Sequence, residues 1–256
     1  MAAIAGVFSS KHGSIVERML KRMSHRSHGA LWIQQLPEAT LGVIHENDRP
    51  CVTQNAVVED RESDQHYAFG WLSNDGPLLE RDGLGVVPLY YGRLDDGSLC
   101  FASEVKGLLE ATREVHELPP GCRYNGDTFD RYFTLTRQEP IFETPDRIAA
   151  QLRLLLEEAV QKRIHSDETG CYLSGGLDSS VMAALARPYV RKLRSVAAGV
   201  AGAPDLEAAR EVANFINSDH QEVLVTLEDM LHVLPDVIRH LESFDAPLVR
   251  SAIPMY

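Results

Sequence analysis

No apolar run in this 256-residue chain approaches the roughly 18 residues that a bilayer-spanning helix needs. The opening stretch MAAIAGVFSSKHGS lacks the basic segment and long apolar core of a secretory leader. These absences point to a soluble, cytoplasmic protein with no membrane partner. Cysteine is scarce: the four thiols, Cys51, Cys100, Cys122 and Cys171, lie far apart and form no C-x-x-C pair. That excludes zinc-ribbon and thiol-exchange patterns and leaves reduced core residues as the expectation. Positive charge is also short, with 25 basic against 37 acidic side chains and a net charge of −12. A chain so acidic has no evident basic stripe with which to displace counterions from a nucleic-acid backbone, so no nucleic-acid partner is expected. Internal repeats and low-complexity segments are missing as well.

The chain does have enough apolar residues, 44%, to bury substantial cores, and enough length for two modest domains. Its halves read differently. Up to about Tyr132, short strand-like runs alternate with turns: Ile4 to Phe8, Leu31 to Leu36, Thr40 to His45, His66 to Leu72, Leu89 to Tyr91 and Ser98 to Phe101, with one amphipathic helix from Ser14 to Met23. This predicts a mostly β or α+β domain over residues 1–135. At Thr144-Pro145 an N-cap residue and a proline suited to the first helical position open a long helix. Strand and helix then alternate: Gly170 to Leu173, Ser179 to Ala186, Ser195 to Val200, Asp205 to Ile216, Glu222 to Val225, and Leu227 to Ser243 with an interruption expected at Pro235. Such a βαβαβα order predicts an α/β domain with a parallel sheet over residues 145–256.

The most informative residues join the first of those strands to its helix: Ser174-Gly175-Gly176-Leu177-Asp178-Ser179-Ser180. Paired glycines let the backbone turn sharply and present N–H groups to an anion, and the following helix adds the positive end of its dipole. The loop is not a Walker A motif, because no lysine follows the glycines. A carboxylate at Asp178 would repel phosphate unless a divalent cation lay between them, so its expected role is to hold magnesium on pyrophosphate. The alternative is a capped helix start, with Asp178 and Ser179 as caps.

With these residues in view, the chain resembles the PP-loop ATP-pyrophosphatases and, among them, the glutamine-hydrolysing (class B) asparagine synthetases. The resemblance extends through Ser195 to Val200 and Gly202-Ala203-Pro204-Asp205-Leu206-Glu207-Ala208-Ala209, similar to the family's G-S-P-D-L-x-A-A stretch, then Glu242 to Asp245 and Arg250 to Tyr256. In the first half, Arg81 to Tyr91 and Ala102-Ser103-Glu104-Val105-Lys106 are similar to R-D-x-x-G-x-x-P-L-Y and A-S-E-x-K. The family pattern implies an N-terminal-nucleophile glutaminase-like domain of antiparallel β layers, followed by a Rossmann-like sheet of the adenine nucleotide alpha hydrolase type. It implies ATP and magnesium as cofactors, with Ser174, Gly175, Gly176, Asp178 and Ser179 around pyrophosphate and metal. Tyr172, Leu173, Ala198 and Gly199 would flank adenosine, and Arg250 would lie near the phosphate or acyl site. The acyl substrate it implies is aspartate or an analogue.

The departures fall at both ends. In the family a cysteine at the second position attacks the glutamine amide while its free α-amine manages the proton. Here that position is Ala2. The family's H-R-G-P-D turn reads His25-Arg26-Ser27-His28-Gly29, Asn47 stands where an arginine binds the glutamine carboxylate, and the N-G-E-I-Y-N oxyanion stretch has no counterpart. Loss of one oxyanion donor alone costs about 10²–10³ in rate, so glutamine hydrolysis is expected to be absent. His12, His25, His28 and His45 match no recognisable metal-ligand spacing.

Family members run well beyond this length. The S-G-E-G-S-D-E loop, which supplies a second metal carboxylate, is not in the sequence, and Pro247 and Leu248 replace two threonines ahead of Arg250. The sequence therefore reads as a truncated, degenerate member with a partial synthetase domain, whose sheet would end on an uncovered edge. Two functions follow from the resemblance. One is AMP-forming carboxylate activation and amidation with ammonia or an amine, completed by a second polypeptide or a further segment, with a C-terminal-half protein or a second copy of the chain in a homo-oligomer as the expected partner. The other is an inactive nucleotide-binding, regulatory or scaffold protein. Other PP-loop chemistry, such as tRNA thiolation, is disfavoured by the acidic charge and the absent C-x-x-C.

Overall fold

The computed structural model describes residues 2–45, 57–63 and 65–256, and the chain divides into two compact units, Met1–Gln138 and Glu139–Tyr256. Asn47 and Cys51 lie outside the described residues.

The first unit runs β1 (Ala3–Val7), α1 (Gly13–Arg22), β2 (Ala30–Gln35), β3 (Thr40–His45), β4 (Val57–Ser63), β5 (His66–Ser73), β6 (Gly76–Arg81), β7 (Tyr90–Arg93), β8 (Leu99–Ala102), α2 (Val105–Leu108), β9 (His116–Glu117), β10 (Cys122–Tyr124) and β11 (Phe129–Arg131). These strands build a six-stranded sheet in the order β2-β3-β1-β8-β7-β9 and a five-stranded sheet in the order β11-β10-β6-β5-β4. Their pairings are antiparallel. β1 is buried along its whole length because successive side chains face two different cores. Ile4 points to a core shared with Leu41, Val43, Val58, Ala68, Leu79 and Phe101, drawn from both sheets. Ala3, Ala5 and Val7 pack with Val16, Met19 and Leu20 of α1 and with Leu108. Phe101 fits because Gly6 and Gly70 have no side chain; a Cβ at either position would collide with its ring.

The Arg81-Asp82 pair fastens the turn between β6 and β7. The Asp82 carboxylate accepts N–H bonds from Leu84 at 3.0 Å, Val86 at 3.1 Å and Val87 at 3.0 Å. The Arg81 guanidinium donates to the carbonyls of Gly85, Val87 and Leu118 and to Glu117. A buried carboxylate and a buried guanidinium persist here because the backbone satisfies both.

The second unit comprises α3 (Pro145–Gln161), β12 (Glu168–Tyr172), α4 (Leu177–Ala186), β13 (Lys192–Gly199), α5 (Pro204–Ile216), β14 (Asp219–Leu224), α6 (Leu227–Leu241) and α7 (Ala246–Ala252). β12, β13 and β14 form a parallel sheet in that order, with Cys171 opposite Ser195 and Ser195 opposite His220. The chain thus combines antiparallel sheets with a parallel one. Leu173, Ala183, Leu193, Ala197, Leu206, Ala209 and Ala213 make the core of this unit.

Three local readings change. α6 runs through Pro235 without a break; proline removes one N–H, and the capping box between Thr226 and Asp229 fixes the start of the helix. α4 begins at Leu177, two residues earlier than the apolar spacing indicates, which puts Asp178 inside its first turn. The Thr144 side chain makes no capping bond; its backbone carbonyl accepts from Ile148 N at 3.1 Å. β4, β6, β9, β10 and β11 carry no usable alternation in the sequence, three of them being only two or three residues long.

Candidate functional site

The loop that leaves β12 is built from its own hydroxyls. Leu173 N donates to Val196 O of β13 at 2.8 Å, so the end of β12 stays in the sheet as the turn begins. Ser174 N donates to Ser179 Oγ at 3.2 Å, the Ser174 and Ser179 hydroxyls lie 2.9 Å apart, and Ser180 Oγ donates to Gly176 O at 2.7 Å. Gly175 has φ +76°, a left-handed backbone that suits glycine. Gly176 is the N-cap residue of α4, and no side chain caps that helix.

The free donors of a helix start therefore have no local partner. The N–H groups of Gly175, Leu177, Asp178 and Ser179 find no acceptor among the described residues. Asp178 is exposed, and its carboxylate makes no hydrogen bond or ion pair among the described residues. The reading of Asp178 as a helix cap is therefore not what the structure shows. Four unpaired amides at the positive end of a ten-residue helix suit an anion, and an adjacent unpartnered carboxylate suits a hard cation lying on that anion. Among the described residues, no three His, Cys, Asp or Glu side chains gather into a metal site. A cation here would thus draw on Asp178, ligand oxygens and water.

The structure brings Tyr172, Leu173, Ser174, Gly175, Gly176, Asp178 and Ser179 together at the C-terminal end of β12. Ala198 and Gly199 close the neighbouring β13, opposite Val223 and Leu224 of β14. Arg250 lies on α7, exposed and without a hydrogen bond or ion pair among the described residues. Sequence reasoning missed what lies behind the loop. A Cβ built on Gly175 would lie 2.6 Å from Ala209 N and 2.7 Å from Ala208 Cβ, so the loop rests on the backbone of α5. The Ala208-Ala209 pair is the signal, small residues at a close approach.

The first unit has a different centre. Ala2 is buried, its N–H donates to Asp60 Oδ1 at 2.8 Å, and its carbonyl accepts from Arg26 Nε at 2.9 Å. Arg26 also reaches Asp60 Oδ2 at 2.6 Å and Glu104 Oε1 at 3.2 Å, while His25 Nε2 lies 3.1 Å and Lys106 Nζ 2.7 Å from the Glu104 carboxylate. Burial pushes the Asp60 carboxyl above its ordinary range, against the pull of Arg26 and the Ala2 N–H. Burial also raises Glu104, but Lys106, His25 and Arg26 together outweigh it and hold that carboxyl low. The knot contains no thiol or hydroxyl at position 2, where Ala2 has only a methyl group. Asp60 sits on β4, a strand with no sequence signature, and for that reason the sequence did not place it beside Ala2.

Residues 151–256 match the asparagine synthase family model and residues 61–160 match a glutamine amidotransferase domain. The probable glutamine-hydrolysing asparagine synthetase of Dictyostelium discoideum is 34% identical over 201 residues, which cover 70% of this chain and 36% of the relative. Asparagine synthetase B of Escherichia coli (strain K12) is 34% identical over 208 residues, covering 71% of this chain and 36% of its own. The chain belongs to the asparagine synthetase family. It spans about a third of the length of the curated relatives it matches. Among solved structures, the B. subtilis glutamine phosphoribosylpyrophosphate amidotransferase complexed with ADP and GMP aligns over 97% of this chain and 95% of its own, at 13% identity and a TM-score of 0.44. The S-G-G-L-D-S-S turn, Ser174 to Ser180, lies within the residues matched by the asparagine synthase model, and Ala2 lies outside both matched ranges. No helix among the described residues is long and apolar enough to cross a membrane.

Proposed function

We propose that this chain carries the nucleotide-binding part of an asparagine-synthetase-like ligase. It binds ATP as its magnesium complex for activation of a carboxylate, with pyrophosphate as leaving group and AMP displaced by nitrogen. The observation that carries the reading is the row of unpaired amides at Gly175, Leu177, Asp178 and Ser179 beside the unpartnered Asp178 carboxylate. In it the first unit is of the N-terminal-nucleophile type and the second of the PP-loop type.

Each residue has a physical task. The loop amides and the α4 dipole hold the β- and γ-phosphates, where negative charge grows as the bond to the α-phosphate breaks. Ser174 and Ser179, which bond to each other at 2.9 Å, turn their hydroxyls to phosphate oxygens when the anion displaces that contact. Asp178 anchors magnesium; the ion, when bound, neutralises the leaving pyrophosphate. Tyr172, Leu173, Ala198 and Gly199, at the ends of the two adjacent strands, border the nucleoside. Arg250, exposed on α7, would lie near the phosphate or acyl oxygens.

The nitrogen source is ammonia or an amine, and the carboxylate is aspartate or an analogue. Glutamine hydrolysis is absent, because Ala2 provides no thiolate and its main chain is tied to Asp60 and Arg26. An acidic loop of the S-G-E-G-S-D-E kind, which this sequence does not contain, is supplied by a second polypeptide or another segment.

The test is pyrophosphate exchange into ATP by the full chain, alone and with a polypeptide bearing S-G-E-G-S-D-E. Exchange that requires magnesium and aspartate, AMP formation that accepts ammonium and ignores glutamine, and loss of both in Asp178→Ala are the expected results. Magnesium-dependent ATP binding without exchange under either condition favours the regulatory or scaffold role. Absence of ATP binding refutes the nucleotide reading.

A further inference from the structure

The phosphate loop does not hold its place by its own bonds alone. Gly175 rests on α5 so closely that a Cβ there would lie 2.6 Å from Ala209 N, 2.7 Å from Ala208 Cβ and 2.9 Å from Ala208 C. One turn earlier the same helix supports the neighbouring strand end: a Cβ on Gly199 would meet Leu206 Cγ at 3.2 Å. α5 is thus a common back wall for the ends of β12 and β13.

That wall is fixed. Leu206, Ala209, Ala213 and Ile216 are buried in the core of the second unit. Arg210 forks onto Glu222 of β14 at 2.8 and 2.9 Å, Pro204 opens the helix, and Asn217 in the left-handed region closes it. The loop in front is less constrained, being held by serine hydroxyls and one exposed helix start. Between them, Ala208 is half-buried and offers only a methyl group, and Ala209 contributes backbone.

We infer that Ala208 is a positioning residue for the phosphate loop: its methyl sets how far Gly175 stands from α5, and so where the free amides of Gly175, Leu177, Asp178 and Ser179 can meet an anion. This rests on the nucleotide-binding reading and adds a residue that touches neither phosphate nor metal. A larger side chain at 208 pushes the loop outward and tilts the cradle, since the helix behind cannot retreat. A side chain of similar size leaves it in place.

The experiment uses the full chain with Ala208→Leu, the milder Ala208→Val, and Ala208→Ser as the conservative control. Two quantities are read: amide hydrogen exchange at Leu173, Ser174 and Gly176, whose N–H groups are the bonded ones of this loop, and the affinity for magnesium pyrophosphate. In Ala208→Leu and Ala208→Val, exchange in the loop rises and pyrophosphate affinity falls about tenfold, about 1.4 kcal/mol. Exchange within α5 and β13 stays at the parental rate, and Ala208→Ser retains both loop protection and affinity. A merely structural residue would instead raise exchange through α5 and the sheet together. Unchanged loop exchange in both enlarged variants overturns the inference, and so does loss of protection throughout the unit in both. If the parental chain binds no pyrophosphate, the functional reading fails, while the exchange measurement still decides whether Ala208 places the loop.

Discussion

Asp60 in the first unit is fully buried beside Ala2, whereas Asp178 in the second stands exposed at the head of α4. The first carboxylate is engaged by Arg26 and the Ala2 N–H; the second has no partner among the described residues. A carboxylate held by a guanidinium and a backbone amide is part of the framework and cannot also serve a substrate. An exposed one next to unpaired amides is available to a ligand. The same division appears in apolar surface. Both faces of β1 are covered, while Leu177, Phe215 and Phe244 in the second unit are 79%, 88% and 87% exposed. One unit encloses its carboxylate in the framework; the other leaves its carboxylate on the surface beside unpaired amides.

The largest effect is expected from Arg26→Ala. It leaves Asp60 without its guanidinium in the interior, a loss of about 3–5 kcal/mol for breaking a buried pair. Both tryptophans, Trp32 and Trp71, lie in the first unit, so tryptophan fluorescence during urea unfolding reports on it alone. The fluorescence midpoint should fall steeply while magnesium-dependent ATP binding by the second unit persists below that midpoint. Equal loss of both would mean that the two units do not separate energetically.

Gly175→Ala tests the second unit in the same way. The new Cβ meets the α5 backbone at 2.6 Å and occupies a left-handed conformation, at a cost of roughly 1–3 kcal/mol. ATP affinity should drop and the fluorescence midpoint should not move. Thr226→Ala is milder. It removes the hydroxyl that accepts from Asp229 N at 3.1 Å, about 1 kcal/mol of helix start. Circular dichroism should show the helical transition lowered and the fluorescence transition unchanged.

How much of this was legible depends on what each residue does. The turn Ser174 to Ser180 could be read directly, because glycine pairs, hydroxyls and a carboxylate between a strand and a helix leave a local signature that the fold does not override. Arg81-Asp82 was equally visible as a motif, yet its work is to satisfy one turn's backbone, a role that only the hydrogen bonds reveal. The Asp60 knot was hidden because it joins residues 58 positions apart through a strand without alternation. The Ala208 contact was hidden because two alanines in a helix are silent until something is seen packed against them. Pro235 misled for the opposite reason: it has a strong local signal that the capping and packing of α6 overcome.

The smallest expected effect is a slope in pH. Burial raises the Asp60 carboxyl, so the folded state binds its proton more tightly than the unfolded chain. Its contribution is complete below the ordinary value of 3.8 and lost as pH rises through the raised folded value. Asp219, Glu222 and Asp229 are shifted the other way by Lys192, Arg210 and Thr226 respectively, and what they contribute is present above their ordinary values and lost as pH falls. Acidification from about pH 5 to pH 3 should therefore weaken the second unit with nothing in this set to oppose it. In the first unit, Asp60 offsets the loss from Glu104, whose carboxyl is held low. Asp60→Asn removes that offset, and the fluorescence midpoint of the variant should fall more steeply with acid than that of the parental chain. Parallel slopes in parent and variant would mean that Asp60 keeps its charge through this range, with Arg26 and the Ala2 N–H outweighing its burial.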